Sequence, residues 1–232
     1  MSEEDMLLNN TLAEFSIRQV PAEKRITDFV GLVIQPDATT IRQSYELAAS
    51  LMPQTPELAV APGLLPHMTL TQCALRDAPR ARLAAFVEHL EAQLHGRSMP
   101  LSTVIAFGAG FAFWCTDHTF PERSSLQRAH EYAITLADGL LDPVANAAVV
   151  EQTSRLTNHD PVLVGNARTC GFSMVRDRYL PHITLGFDPR LAVNRKAGPL
   201  FEPQNHLHAM QVDRVVLAKL GSHGRVEYVF SL

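Results

Sequence analysis

Pro66-His67-Met68-Thr69-Leu70 returns later in the chain as Pro181-His182-Ile183-Thr184-Leu185, and no other stretch repeats so closely. Both copies stand in apolar, β-prone surroundings. Each begins with proline, whose missing N–H costs least at the first residue of a strand. Side chains alternate across a strand, so the histidine and threonine of each copy share one face and the apolar residues share the other. The repeat therefore predicts two strands, each with a buried face and a face that offers an imidazole and a hydroxyl.

The first copy lies in a half that reads strand, helix, motif strand, helix. Residues 28–34 are rich in β-branched and aromatic side chains and predict a buried strand. A helix follows, from a capping box that begins at Thr40 up to the helix-breaking Pro53. The motif strand is predicted over residues 64–75. The clearest helix covers residues 81–95, where apolar side chains recur at helical spacing.

The second half repeats the order strand, helix, motif strand. Residues 101–115 form an apolar run that two glycines break into two short strands or a bulged hairpin. A capping box at Ser124 opens the next helix. The second motif strand is predicted over residues 179–187. The last segments, residues 210–220 and 226–232, have the pattern of a β-hairpin.

The second half carries an insertion over residues 142–178 that has no counterpart in the first half. Residues 146–156 within it are compatible with a helix. Turn signals stand at residues 158–161 and at Gly165-Asn166. The insertion separates the second motif from the helix before it, so it lies next to the second histidine.

The duplicated layout predicts an α+β fold with two pseudo-symmetric lobes, each a mainly antiparallel sheet backed by helices. Pseudo-twofold packing of the lobes brings both His-x-Thr motifs to a central groove. We expect residues 28–232 to form this domain and residues 1–27 to form an N-terminal arm.

Composition excludes several classes of protein. The 232 residues are 46% hydrophobic and 19% charged, which is typical of a globular chain. The net charge of -4 argues against a chain that coats DNA or other nucleic acid by bulk electrostatics. The acidic first residues do not resemble a secretory signal, and the longest nearly apolar run, residues 104–115, is too short to span a membrane. Three widely spaced cysteines fit a reduced, cytoplasmic protein.

Paired His-x-Thr motifs suit chemistry on a phosphodiester. Two imidazoles with ordinary pKa values near 6.5 can divide the work at neutral pH, one neutral and accepting a proton, the other charged and donating it. Two hydroxyls can hold the non-bridging oxygens as negative charge moves. His67, Thr69, His182 and Thr184 are therefore the predicted catalytic residues, with no metal or other cofactor. The symmetry of the pattern leaves open which histidine is the acid.

The two motifs resemble those of the two-histidine (2H) phosphoesterase superfamily, and most closely the branch of RNA 2′,3′-cyclic phosphodiesterases, also called 2′-5′ RNA ligases. The resemblance covers roughly residues 28–115 and 179–232. It implies a bilobal α+β fold and a hydrolase that opens a cyclic phosphate, on an RNA end or a small nucleotide, to a phosphomonoester. The insertion departs from the simplest members of the family and leaves the substrate open.

Four further residues are predicted to contact substrate. Arg178 and Arg190 are the cations nearest the second motif in a locally basic stretch and could hold a phosphate. Trp114 and Tyr179 could stack a base, with core packing as the alternative reading of both.

A metal site and a purely binding function are the alternatives to metal-free catalysis. His206 and His208 share a strand face, but the sequence offers no third ligand beside them. A nucleotide-binding or RNA-binding module without turnover would use the same groove. So would an enzyme acting on 2′-5′ linked oligonucleotides or on another cyclic phosphate. The sequence carries no signal for the oligomeric state.

Overall fold

The computed structural model describes residues 18–51, 65–107, 110–116, 123–188 and 204–232. In these ranges eight strands form one mixed, mostly antiparallel sheet flanked by helices, so the fold class is α+β as predicted. The strands are β1 (Gln19–Pro21), β2 (Arg25–Pro36), β3 (Met68–Pro79), β4 (Ser98–Phe107), β5 (Phe111–Thr116), β6 (His182–Phe187), β7 (Gln204–Leu220) and β8 (Val226–Ser231). The helices are α1 (Ala38–Leu51), α2 (Arg80–Leu94), α3 (Arg123–Ile134), α4 (Pro143–Leu156) and α5 (Pro161–Cys170).

The strand order is β1-β8-β7-β2-β3-β6-β5-β4, and only the β1–β8 pair is parallel. Strand β7 is long enough, at 17 residues, to pair with two different strands. Its later part pairs with β2 and its earlier part pairs with β4 at the far end of the order. The sheet therefore curls back on itself, and six strands from β7 round to β4 form a closed circuit.

The first half matches the predicted order of elements, with one correction at a helix start. Strand β2, helix α1, strand β3 and helix α2 follow one another. Helix α1 is capped by Asp37 instead of Thr40: the Asp37 carboxylate accepts the backbone N–H groups of Thr39 and Thr40 at 3.0 and 3.1 Å. The Thr40 hydroxyl donates to the same carboxylate at 2.6 Å. Asp37 is the N-cap residue because its carboxylate offers two acceptor oxygens to these donors.

The second half confirms the predicted hairpin and corrects the insertion. Strands β4 and β5 pair antiparallel, with a register irregularity after Leu101. Helix α4 covers the segment predicted as helical. Helix α5 was not predicted, and Gly165 and Asn166 lie inside it instead of in a turn. Asp160 caps α5, and Gly171 ends it in the left-handed conformation at φ 74°.

The chain ends are tied to the same sheet. Strands β7 and β8 form the predicted C-terminal hairpin. Two parts of the expected arm belong to the sheet: β1 lies beside β8, and residues 25–27 are the first residues of β2. Residues 1–17 lie outside the described ranges.

Helices α2 and α3 bury their apolar faces in the main core. This cluster also contains Met68 and Leu70 of β3, and Ile183 of β6. All three cysteines are buried and form no disulfide, so they pack as small apolar side chains. In the described ranges, no helix combines the length and the apolar character that crossing a bilayer requires.

Candidate active site

The two His-x-Thr motifs lie side by side on adjacent antiparallel strands. Met68 of β3 is the Cα partner of Ile183 of β6, and these are the middle residues of the two motifs. Antiparallel register then places Thr69 beside His182, and Thr184 beside His67. A local twofold axis passes through the sheet between the two motifs. The two copies of the motif are therefore related to each other by this local axis in the structure.

The predicted division into two faces is confirmed. Met68 and Ile183 are fully buried, as are Leu70 and Leu185 in the next core positions. His67, Thr69, His182 and Thr184 are all partly exposed on the opposite face. Directly opposed residues of a strand pair project to the same side, so the two imidazoles and two hydroxyls form one group on one surface.

Both imidazoles are oriented by the same local hydrogen bond. His67 Nδ1 donates to the Leu65 carbonyl at 2.9 Å, and His182 Nδ1 donates to the Leu180 carbonyl at 2.6 Å. A carbonyl oxygen only accepts, so Nδ1 keeps its proton whether the ring is neutral or charged. Nε2 is therefore the nitrogen that gains or loses a proton in both rings, as a general acid or base requires.

The surroundings of both imidazoles favour the neutral ring. Burial lowers the pKa of His67 below its ordinary value of 6.5, against the opposing effect of the Leu65 carbonyl. Burial also lowers the pKa of His182, to about 4, where the Leu180 carbonyl opposes the shift and the charge of His67 adds to it. These shifts favour the neutral form of both rings in the empty site, so the expected charged imidazole would have to be stabilised by a bound anion. A bound anion would raise both pKa values, because an adjacent negative charge favours imidazolium.

The surroundings of the two histidines are not equivalent. Phe113 stacks on the His182 ring with a centroid distance of 3.6 Å. Phe113 is the Cα partner of Thr184 on the β5 side, while Val33 is the partner of Thr69 on the β2 side. An aromatic ring therefore stands on one side of the twofold axis where a valine stands on the other. The pseudo-symmetry is broken next to His182.

A buried aromatic pair joins the two motif strands. The hydroxyl of Tyr179 donates to the Thr69 carbonyl at 3.1 Å, and its ring stacks on His130 at 3.8 Å. His130 Nδ1 donates to the Leu70 carbonyl at 2.7 Å, and its Nε2 accepts the Arg176 N–H at 2.9 Å. Burial lowers the pKa of His130, which agrees with a neutral ring that donates once and accepts once. The segment before His182 is thereby fixed against the first motif.

The two aromatic residues predicted to stack a base are core residues. Trp114 is 2% exposed and Tyr179 is 5% exposed, which leaves almost no ring surface for a ligand. The indole Nε1 of Trp114 donates to the His206 carbonyl at 2.9 Å. Trp114 projects to the core face because it pairs with Ile183. Core packing, the alternative reading, accounts for both residues.

The two predicted arginines are placed differently. Arg178 lies in a single 3₁₀ turn before β6, with an exposed side chain 4.0 Å from the Asp177 carboxylate. No contact in the described ranges joins it to the four motif side chains. Arg190 lies outside the described residues.

The His206 and His208 pair gains no third ligand in the described part of the chain. No group of three histidine, cysteine or acidic side chains there could hold a metal ion. His208 Nε2 is 2.7 Å from the Thr40 hydroxyl, and its ring lies against Trp114. These contacts give His208 a packing role at the start of α1.

Sequence reasoning missed Phe113 and His130. His130 continues the buried stripe of α3, where Leu126, Ala129 and Ala133 recur at helical spacing. That spacing indicates a buried histidine but not which carbonyl it bonds. Phe113 lies on the β5 face opposite to the buried Ala112 and Trp114. Its place beside His182 depends on which strand pairs with β6.

Comparisons with known proteins do not identify a family. No family model matches the chain, and no curated protein matches it. Among solved structures, it is similar to the crystal structure of TT0787 of Thermus thermophilus, with 17% sequence identity and a TM-score of 0.46. That similarity covers 87% of this chain and 94% of the other. A likeness this distant establishes no function.

Proposed function

We propose that the chain is a metal-independent phosphodiesterase that hydrolyses a 2′,3′-cyclic phosphate, on an RNA end or a nucleotide, to a phosphomonoester. The observation that carries the proposal is the pairing of Met68 with Ile183, which puts two matched imidazoles and two hydroxyls on one face. In this proposal the curled sheet has two lobes that meet at β3 and β6, as in two-histidine phosphoesterases. The groove between them holds the phosphate.

The chemistry follows from the orientation of the rings. Adjacent strands lie about 4.8 Å apart, so a phosphate placed over β3 and β6 is within reach of both imidazoles. The Nε2 of one histidine takes a proton from the attacking water. The Nε2 of the other gives a proton to the ribose oxygen that leaves. Thr69 and Thr184 donate hydrogen bonds to the non-bridging oxygens.

The direct test is turnover by the purified chain in the presence of EDTA. The substrates are nucleoside 2′,3′-cyclic phosphates and short RNA that ends in a cyclic phosphate, and the product to detect is a phosphomonoester. Hydrolysis in chelator supports the proposal. Activity that disappears in chelator and returns with a divalent cation contradicts the metal-free mechanism.

A nucleotide-binding module without turnover is the second candidate. The observation that favours it is that burial lowers the pKa of both histidines, which disfavours the charged imidazole that a general acid requires. Tight binding of a cyclic nucleotide without any product would establish this alternative.

The two threonines give a prediction about transition-state stabilisation. Thr69→Val and Thr184→Val keep the shape of the side chain and remove the donor. Loss of one such donor costs roughly 3 kcal/mol in the strongest cases, which is about a hundredfold in kcat. We therefore expect kcat to fall by about tenfold to a hundredfold in each variant, with a smaller change in KM. Thr39→Val, at an exposed position in the first turn of α1, is the matched control. Unchanged kinetics in both motif variants would remove the threonines from the mechanism.

The lowered pKa values give a prediction about pH. The pH profile of kcat/KM reports the free enzyme, and the active form carries one proton shared between two imidazoles. Because both pKa values are lowered, that form is most abundant below pH 6.5, so kcat/KM should peak on the acid side of 6.5. The profile of kcat should peak at higher pH, since the bound phosphate anion raises both values. A kcat/KM that keeps rising above pH 7 contradicts this assignment.

A further inference from the structure

A cleft of about 530 Å³ is lined in part by Cys115, the strand partner of His182, and by Leu180, two residues before it. Its lining includes Thr103 and Ile105 of β4, Cys115 of β5, Leu180 just before β6, and Asn205 and Leu207 of β7. The volume falls in the range of sites that bind small molecules. Leu180 also supplies the carbonyl that orients His182, so the cleft and the histidine share a wall.

Strand register places the cleft on the catalytic face. His182 pairs with Cys115, Cys115 pairs with Thr103, and Thr103 pairs with Asn205. Directly opposed residues share a face, so these four side chains form one row across four strands. At about 4.8 Å per strand, Thr103 lies about 10 Å and Asn205 about 14 Å from His182 along the sheet. A ligand whose phosphate lies at His182 can extend along this row.

The chemistry of the row suits a neutral heterocycle. The cleft has no lysine, arginine or acidic residue among its described lining side chains, so these offer nothing to pair with a second phosphate. Asn205 supplies an amide with donor and acceptor groups. Leu207 is 84% exposed, and Ile105 and Leu180 add further apolar surface. Apolar walls with a few polar groups are typical of ligand sites.

The aromatic rings on the other side of Phe113 are less suitable for a base because they are stacked on one another. Phe107 stacks on Phe113 at 5.0 Å, and Phe187 stacks on His223 at 4.2 Å. Phe111 contacts both Phe113 and Phe187. Each ring face used in these contacts is unavailable to a ligand.

We propose that this cleft binds the nucleobase of the substrate, with Asn205 and Thr103 bonding to the polar edge of the base. The inference rests on the proposed function, because it assumes that the phosphate binds at His67 and His182 and that the rest of the substrate extends from there along the row. It assigns recognition of the base to Asn205 and Thr103, two residues that the proposed chemistry at the phosphate does not use.

The test compares a substrate with a base and one without it. Adenosine, guanosine, cytidine and uridine 2′,3′-cyclic phosphates are compared with ribose 2′,3′-cyclic phosphate, for the native chain and for Asn205→Leu and Thr103→Val. We expect kcat/KM of the native chain to be at least about tenfold higher for one or more nucleosides than for ribose cyclic phosphate. Each variant should raise KM for the nucleosides by about tenfold, which is the worth of one hydrogen bond to a buried ligand. Neither variant should change kcat/KM for ribose 2′,3′-cyclic phosphate. The control Thr39→Val should change kcat/KM for neither kind of substrate.

The outcomes separate the cleft from the catalytic proposal. Hydrolysis of all substrates with equal kcat/KM, or variants that affect both kinds of substrate equally, overturns the base site and leaves the hydrolase intact. If no substrate is hydrolysed, binding of nucleosides without phosphate is measured by calorimetry. If the chain binds nucleosides and Asn205→Leu weakens that binding, the base site in the cleft is supported. If no binding is detected at millimolar nucleoside, the base site is contradicted.

Discussion

Replacing either His67 or His182 by alanine is expected to lower kcat/KM by about two to four orders of magnitude. The two rings lie on neighbouring strands with Nδ1 held by a backbone carbonyl, so each Nε2 has a fixed direction toward the shared face. Loss of either ring removes one of the two proton transfers. The measurement is kcat/KM on a nucleoside 2′,3′-cyclic phosphate.

The double variant distinguishes a cooperating pair from two independent groups. When residues act as a unit, removing the second costs little after the first is gone. We expect His67→Ala with His182→Ala to be only slightly less active than the weaker single variant. Losses that multiply would show that the two histidines act in separate steps or at separate places.

Asparagine variants test whether the alanine variants lose activity only because the hydrogen bond to the carbonyl is lost. The side-chain amide of asparagine can donate to the Leu65 or Leu180 carbonyl in place of Nδ1, but it cannot exchange a proton near neutral pH. His67→Asn and His182→Asn should therefore fold well and stay as inactive as the alanine variants. His89→Ala, at a position on α2 away from the motif face, is the control for removing an imidazole elsewhere. Recovery of activity in the asparagine variants would mean that the histidines only hold the loop carbonyls.

Much of the fold could be predicted from local sequence patterns, because such patterns depend only on which face of a strand or helix is buried. The alternation of Met68 and Leu70 with His67 and Thr69 is a property of any half-buried strand, and it predicted the correct faces. The apolar stripe of α2 predicted its buried side in the same way. Neither inference needed to know which strands pair.

The failures arose where a residue depends on partners distant in the chain. Trp114 is an aromatic residue that could stack a base, but its pairing with Ile183 turns the indole into the core. Tyr179 could also stack a base, yet its hydroxyl bonds to the Thr69 carbonyl, 110 residues away. The motif by itself gives only the ordinary histidine pKa near 6.5. The folded sheet buries both rings, and this burial lowers both pKa values.

Within the proposed mechanism, the aromatic neighbour of His182 favours one division of the catalytic roles, which the repeat alone leaves open. Burial and the charge of His67 lower the pKa of His182 to about 4, and Phe113 stacks against its ring. A ring that resists protonation suits the general base. His67, which has Val33 instead of an aromatic ring across from its motif partner Thr69, suits the general acid.

A change of leaving group tests this assignment with a large effect. A nitrophenyl phosphodiester expels nitrophenolate, which leaves without needing a proton. On this substrate, His67→Ala should recover to within about tenfold of the native chain, since only the acid step has been lost. His182→Ala should remain lower by about two to four orders of magnitude, because water still needs a base. The opposite pattern assigns the base to His67, and in that case the stacking of Phe113 does not determine the division of roles. Recovery of both variants would mean that neither ring is needed as a base for water, and recovery of neither would mean that neither ring gives a proton to the leaving oxygen. Either result would contradict the paired acid and base mechanism.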